Sequence, residues 1–451
     1  METANAKKVS KVSKLLKFVW RWACEINTGC WHEKTLAGEG CRLRGEVSGL
    51  ANERPWFTIS ASYLCGVKPI FSTDFTLGIL GGGQLGKMLL YDTRKLDIRT
   101  RVLEPAADAP CSMGANVFQL GSLMDYETVL QFGRQCDVLT IEIEHVNTEA
   151  LHQLKKEGVV VHPDPEALAL IQDKGLQKAF YKSNNIPTSA FDLWSGKTEL
   201  LAAVTSGQQN LPFVWKSTRF GYDGKGVKVI RKQADLDNLP DTACISEALV
   251  AIDKELAVIA SRNEAGEIRC FPACEMVFHN EANLVEQVFC PSAAPAALLK
   301  QAEEIAKDLI EAFGIGGLLA VEFFVTETGQ LLVNEVAPRP HNSGHFTIEA
   351  CYTSQYEQHL RGILNLPLGD PSLKCPAVMV NLIGEPGFSG PVHYAGADAV
   401  LEAAGAYLHI YGKRETRPYR KMGHITVVRP TLAAAQSVAN QLQKTIKVVS
   451  K

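Results

Sequence analysis

A chain of 451 residues with 46 % hydrophobic content holds enough apolar material for two to four packed domains. Its 46 basic and 49 acidic residues nearly cancel to a formal charge of −3, so no global field favours nucleic acid or a membrane surface and any anion must be caught locally. No run of about 18 apolar residues offers a spanning helix, and twelve cysteines scattered without a CxxC pair read as reduced thiols rather than a disulfide framework.

Residues 1–75 differ from the rest. Lys7, Lys8, Lys11, Lys14, Lys17 and Arg21 alternate with Val12, Leu15, Leu16, Val19 and Trp20 as a short basic amphipathic helix, followed by a patternless stretch. Such segments serve as organelle-targeting leaders. Because Glu25, Glu33, Glu39 and Glu46 follow closely, a disordered or non-native extension stands beside that reading. From Thr76 onward short apolar strands at 76–81, 101–104, 137–142 and 159–162 alternate with helical segments, which predicts a doubly wound α/β unit with a parallel sheet over 76–188. Residues 189–248, with short strands and a glycine-rich loop, predict a small lid-like domain. The remainder, 249–451, opens with strands at 250–261 and 271–278, then a helix over 294–313 that Gly314 and Gly316 close in the C-cap role.

Gly81, Gly83 and Gly86 of GGGQLGKM form GxGxxG between a strand and a helix, the setting in which free amides at a helix N-terminus receive an anion. With Glu104 closing the next strand, a dinucleotide site, a generic phosphate site and plain tight packing all remain open here. The second glycine loop runs from Lys216 through Arg219, Gly221, Tyr222, Asp223, Gly224, Lys225 and Gly226, between strands at 212–215 and 227–231. It reads as a flap able to fold over phosphates, with Lys216 as a point charge and Arg219 as a fork, or else as a solvated hairpin tip.

The strongest physical clue is LAVEFFVTETGQLLVNEV. A two-residue turn at Thr328 and Gly329 sets Glu322 opposite Glu335. Like charges so opposed repel, and a cation between them removes the repulsion. An oxygen-only donor set, Glu322 and Glu335 with Asn334 adjacent, selects Mg²⁺ shared with substrate phosphates; acids turned to water, or one carboxyl kept protonated, are the alternatives. In the following APRPHNSGH, prolines flank Arg339 and present its guanidinium to a planar anion, while His341, Asn342 and His345 add donors or a proton carrier. Lys413, Arg414, Arg417, Arg420 and Lys421 make a second basic cluster, a phosphate site or an exposed charged turn.

In order and spacing, GGGQLGKM, GYDGKG, NEVAPRPHNSGH and RPYRKMGH resemble the ATP-grasp superfamily and, within it, the N5-carboxyaminoimidazole ribonucleotide synthases of purine biosynthesis, from about Thr76 to the C-terminus. The resemblance implies an α/β ATP-grasp fold of three domains, with ATP between the central and C-terminal ones. By position, Lys178, Lys216, Tyr222, Lys225, Glu247, the hinge residues Ala248, Leu249 and Val250, Glu255, His279 and Asn334 would surround ATP. Glu322 and Glu335 would hold one Mg²⁺ ion or two. Arg339, His341 and Asn342 match the bicarbonate pocket. The ribonucleotide would lie against Gly83, Gln84, Leu85, Glu144, Tyr222, Asp223 and Lys225, with Lys413, Arg420 and Lys421 at its phosphate. Lys413 joins the catalytic set, as does Asp223, the candidate acceptor of the amine proton.

The implied reaction carboxylates 5-aminoimidazole ribonucleotide with bicarbonate and ATP through carboxyphosphate, in a cytoplasmic homodimer with no nucleic-acid or membrane partner. Two residues depart from the pattern: Phe220 stands where a glycine is common, and Tyr419 where glycine or another small residue is usual. The rival readings are a formate- or biotin-using ATP-grasp ligase, a nucleotide-binding dehydrogenase resting on GxGxxG and Glu104, and a noncatalytic nucleotide sensor.

Overall fold

The computed structural model describes residues 68–219, 226–279, 281–282 and 284–451. The readings of the basic leader and of Phe220, Tyr222, Asp223 and Lys225 therefore lie outside the described residues. Strands β1 (Thr76–Leu80), β2 (Arg99–Glu104), β3 (Val117–Leu120), β4 (Val138–Ile141) and β5 (Val160–His162) pair in parallel in the order β3-β2-β1-β4-β5. Leu77, Ile79, Leu80, Leu139 and Ile141 are almost wholly buried, as strands covered on both faces must be. The winding reverses between β1 and β4, which opens a crevice at their C-terminal ends. There the chain leaves β1 through the glycine loop into helix α1 (Gln84–Lys95).

Helix α2 (Lys174–Ser183) leads to a small antiparallel sheet of β6 (Phe191–Trp194), β7 (Phe213–Ser217), β8 (Val227–Ile230) and β9 (Cys244–Ala248), ordered β6-β9-β7-β8 over its own core of Trp194, Leu200, Phe213, Trp215 and Ile230. A nine-stranded sheet follows. It contains β10 (Ile252–Arg262), β11 (Ile268–Cys270), β12 (Cys274–Phe278), β13 (Val285–Cys290), β14 (Gly317–Thr326), β15 (Leu331–Ala337) and β16 (Ala377–Ile383). Its order is β15-β14-β10-β12-β13-β16, continued by the strands Lys421–Val428 and Ala406–Ile410, with β11 on the side of β10.

Helix α3 (Ala296–Ala312) covers one end of this sheet, its Ile305, Leu309 and Ile310 packing among Val321, Phe323 and Val333. Gly314 follows the helix in the left-handed conformation expected of a cap (φ +64°). Gly316 does not cap anything: its φ is not positive, and a Cβ there would lie 2.8 Å from the His162 ring, so close packing excludes a side chain. Helix α4 (Gln355–Ile363) joins the parallel unit to the large sheet, with Tyr356, Leu360 and Ile363 against Leu77 and Met88, and with the His359 ring 3.0 Å from the buried Thr140 hydroxyl. The described cysteines are all free thiols, and no helix among the described residues is long and apolar enough to cross a membrane.

Candidate active site

Glu322 and Glu335 do face each other, although not through the two-residue turn expected. The tip is a three-residue loop, with Gly329 at φ +79°, its N–H donating to the Thr326 carbonyl (2.8 Å) and the Thr326 N–H to the Gln330 carbonyl (2.9 Å). That loop pairs Phe323 with Val333 and would put Glu322 out of step by one residue. A β-bulge at Asn334 supplies the missing residue and restores Glu322 opposite Glu335.

The opposed acids differ in their surroundings. Burial, then Glu335 and Glu255, push the Glu322 carboxyl well above the usual range, and its Oε1 lies 3.5 Å from His341 Nε2. Glu335 moves the other way because the Lys174 ammonium lies 2.7 Å from its Oε2, although the side chain stays 44 % exposed. Burial and Glu335 raise Glu255 to about 7. Three carboxylates thus share a pocket that resists carrying three negative charges.

Lysines answer them from separate elements. Lys178, one turn after Lys174 on α2, lies 3.4 Å from Glu247 Oε2 and donates to the Thr188 hydroxyl at 2.6 Å. Lys216, on β7, lies 3.1 Å from Glu247 Oε1 and donates to Asn334 Oδ1 at 3.1 Å. Glu247 is the penultimate residue of β9 and is buried. Burial opposes its charge, but Lys216 and Lys178 outweigh that and hold the carboxyl below the usual range. Lys178, equally buried, is lowered to about 8 by desolvation in spite of Glu247. Lys174 is absent from the sequence reading. It occupies the first position of a helix whose N-cap is Asp173, and its i,i+4 spacing to Lys178 is the signal that could have found it.

Beyond β15 the loop is pinned by Gln355, which accepts from the His341 N–H and donates to the His341 carbonyl, both at 2.8 Å. Asn342 and Asn381 exchange side-chain amide hydrogen bonds at 2.9 and 2.7 Å. Arg339 Nε lies 2.9 Å from Glu144 Oε1, which ties this loop to the parallel-sheet unit.

At the first glycine loop, two of the backbone amides are taken up within the protein. The Gly82 N–H donates to Glu104 Oε2 (2.7 Å) and the Gly86 N–H to Glu142 Oε2 (2.9 Å), so these two amides hold the protein's own carboxylates rather than waiting for an external anion. A Cβ on Gly83 would come within 2.5 Å of Glu142 Oε1, the close approach that fixes glycine there. A cavity of about 450 Å³ opens beside it, lined in part by Gly83, Glu104, Ser122, Glu142 and His145. Gln84 and Leu85 begin α1, but the Leu85 side chain is buried in the core, which leaves its backbone as the part facing the loop.

The remaining predicted residues sit on other elements of the chain. Ala248 ends β9, Leu249 and Val250 lie in the link to β10, and His279 sits in the β12–β13 turn with its N–H on the Leu284 carbonyl (2.8 Å). Lys413 donates to the Lys421 carbonyl (2.8 Å), and Arg420 donates to the Glu415 carbonyl (2.6 Å).

A lysine-walled cleft floored by opposed acids, between a small antiparallel sheet and a large one, defines the class as ATP-grasp. Three family models agree with that: the ATP-grasp domain matches residues 179–356, the ribonucleotide synthetase preATP-grasp domain 75–172, and the phosphoribosylaminoimidazole carboxylase C-terminal domain 377–438. The N5-carboxyaminoimidazole ribonucleotide synthase of Bacillus subtilis is 38 % identical over 366 residues, 80 % of this chain and 93 % of that protein. The crystal structure of N5-carboxyaminoimidazole ribonucleotide synthetase from Thermotoga maritima is 41 % identical, with a TM-score of 0.77 over 84 % of this chain and all of that one. That of N5-carboxyaminoimidazole synthase from Aspergillus clavatus, in complex with ADP and 5-aminoimidazole ribonucleotide, is 32 % identical, with a TM-score of 0.74 over 82 % of this chain and 98 % of that one. The chain belongs to the N5-carboxyaminoimidazole ribonucleotide synthase family, whose members are ATP-dependent ligases.

Proposed function

We propose that the chain carboxylates 5-aminoimidazole ribonucleotide with bicarbonate at the expense of ATP, yielding N5-carboxyaminoimidazole ribonucleotide, ADP and phosphate for de novo purine synthesis. The observation that carries this reading is the apposition of Glu322 and Glu335 beneath Lys174, Lys178 and Lys216. A bicarbonate oxygen attacks the γ-phosphorus of ATP, the bond to the β-phosphate oxygen breaks, and carboxyphosphate forms. Lys178 and Lys216 bear on the phosphates, with Glu247 fixing both ammonium groups in place. Arg339 receives the planar bicarbonate. The exocyclic amine of the ribonucleotide then attacks the activated carboxyl carbon, phosphate leaves, and the amine proton passes to a base, for which Asp223 is the candidate. Lys413, Arg420 and Lys421 gather the ribonucleotide phosphate.

The donor set fits Mg²⁺. The side chains that would hold it offer oxygens alone, from Glu322, Glu335 and Asn334, and the upward shift of Glu322, caused by burial and then by Glu335 and Glu255, is one that a cation would relieve. Among the described residues no three His, Cys, Asp or Glu side chains cluster as a self-sufficient metal cage, so nucleotide phosphates would complete the coordination. When bound, the metal, as one ion or two, neutralises charge on the transferred phosphoryl group.

ADP release measured with ATP and bicarbonate, with and without 5-aminoimidazole ribonucleotide, tests the assignment. The ribonucleotide should stimulate release, and Glu335→Gln should lower it roughly 100-fold. Stimulation by formate or biotin instead, or wild-type turnover in Glu335→Gln, would overturn it. Homodimerisation and a cytoplasmic site of action belong to the same proposal, and sedimentation of the full chain and its cellular fractionation test them.

A further inference from the structure

Four non-glycine residues among those described have positive φ: Asp97, Asn185, Asn365 and Tyr419. The first three are types that tolerate the left-handed region. Tyr419, at φ +63°, is the one bulky side chain held there. Strain of this kind persists only where the surroundings over-determine it, and here they do. The Tyr419 N–H donates to the Gly384 carbonyl (2.8 Å), the Gly384 N–H donates to the Arg420 carbonyl (2.9 Å), and the Arg420 N–H closes the turn on the Arg417 carbonyl (3.1 Å). A Cβ on Gly384 would lie 2.1 Å from that Arg417 carbonyl, so the turn is pressed against the end of β16 with no room to shift.

The left-handed backbone sends the phenol sideways across the sheet. Its hydroxyl donates to Glu281 Oε2 at 3.1 Å, and its ring meets the His279 ring edge-on, with centroids 5.5 Å apart. Both partners belong to the β12–β13 turn, which is itself closed by the Glu281 N–H on His279 Nδ1 (3.2 Å). The order β12-β13-β16 followed by Lys421–Val428 means that this side chain crosses the end of β16, the strand between its own and the β12–β13 turn. On one side stands the basic turn with Arg420 between Lys413 and Lys421; on the other stands His279.

We infer that Tyr419 is a positioning residue that ties the ribonucleotide-phosphate loop to the turn on the ATP side, fixing the distance between the two substrate sites. This rests on the function proposed above, and it concerns a residue that touches neither the reacting atoms nor the phosphates. Losing the strap frees the basic turn, so the ribonucleotide must order it on binding, whereas the chemistry of the filled site is unchanged.

The test is steady-state ADP release by the full chain at saturating MgATP and bicarbonate, with 5-aminoimidazole ribonucleotide varied. Tyr419→Phe and Glu281→Ala should each raise the KM for the ribonucleotide about threefold, the effect of one hydrogen bond, with kcat within about twofold. The double variant should be no worse than either single one, because both remove the same contact. Tyr419→Gly, which the backbone accommodates without strain, should raise KM further, to roughly tenfold. A purely structural role would move the thermal midpoint and leave KM alone. Wild-type KM in both Tyr419 variants, or multiplying effects in the double variant, would overturn the inference. If the wild-type enzyme itself shows no ribonucleotide-stimulated ADP release, the functional reading fails and the inference with it; if it does and the variants match it, the inference alone fails.

Discussion

The two acidic sites of this molecule are built on opposite principles. At the glycine loop after β1, Glu104 and Glu142 accept from backbone amides of Gly82 and Gly86, so each carboxylate has donors supplied by its own domain. At the β14–β15 hairpin, Glu322 and Glu335 oppose each other, and their cationic neighbours come from elsewhere: Lys174 from α2 and Lys216 from β7. The first arrangement is self-contained and holds a loop in shape. The second is left in electrostatic tension, and such tension marks a place where a ligand completes the structure.

Removing acids should separate the two. Glu322→Gln should cut ADP release roughly 100-fold while leaving the thermal midpoint unchanged or higher, because it replaces a carboxyl that burial and the opposed Glu335 already hold back from ionising; a large loss of stability would erase the contrast. Within the cleft, Glu247→Gln should cost about 3 kcal/mol in denaturant unfolding, since it strands Lys178 and Lys216, side chains only 2 % and 10 % exposed, without a counter-charge. At the glycine loop, Glu104→Ala should cost about 2 kcal/mol by orphaning the Gly82 and Ala106 amides, the reverse of the Glu322 signature.

The mildest effect is on pH. Lys178 is lowered to about 8 in the folded chain, against 10.5 when unfolded. It is charged in both states below pH 8, so its contribution to ATP binding is intact there. Above pH 8 the folded state releases the proton first, and the KM for ATP should rise a few-fold. Between pH 8 and 10.5 the unfolded state binds more protons, so this group's contribution to stability should rise with pH. A KM for ATP that stays flat from pH 7 to 9.5 would remove Lys178 from the phosphate site.

Much of this was legible in the sequence because it depends on local periodicity. Buried apolar runs gave the parallel strands, and alternation around a turn placed Glu322 opposite Glu335. The register was right while the turn was wrong, because two irregularities cancel: a loop one residue longer than expected and a bulge at Asn334 that no propensity announces. Lys174 escaped because a lysine at the start of a helix is ordinary until the fold brings Glu335 to it. The capture of glycine-loop amides by Glu104 and Glu142 was hidden for a similar reason, since it requires the neighbouring strands to be in place. Gly316 was misread as a cap because its constraint comes from His162, far away in the chain.

The bulge has a consequence for anyone who would insert or delete residues here. Trimming one residue from the 327–329 tip shortens the loop between the same flanking residues, Thr326 and Gln330, and leaves Glu322 opposite Glu335. Deleting Asn334 straightens the strand and also keeps the two acids opposed, but it removes the oxygen to which Lys216 donates. The solvent-exposed tip is therefore free to vary in length, whereas the extra residue of the bulge is held in place by the contact it makes in the cleft.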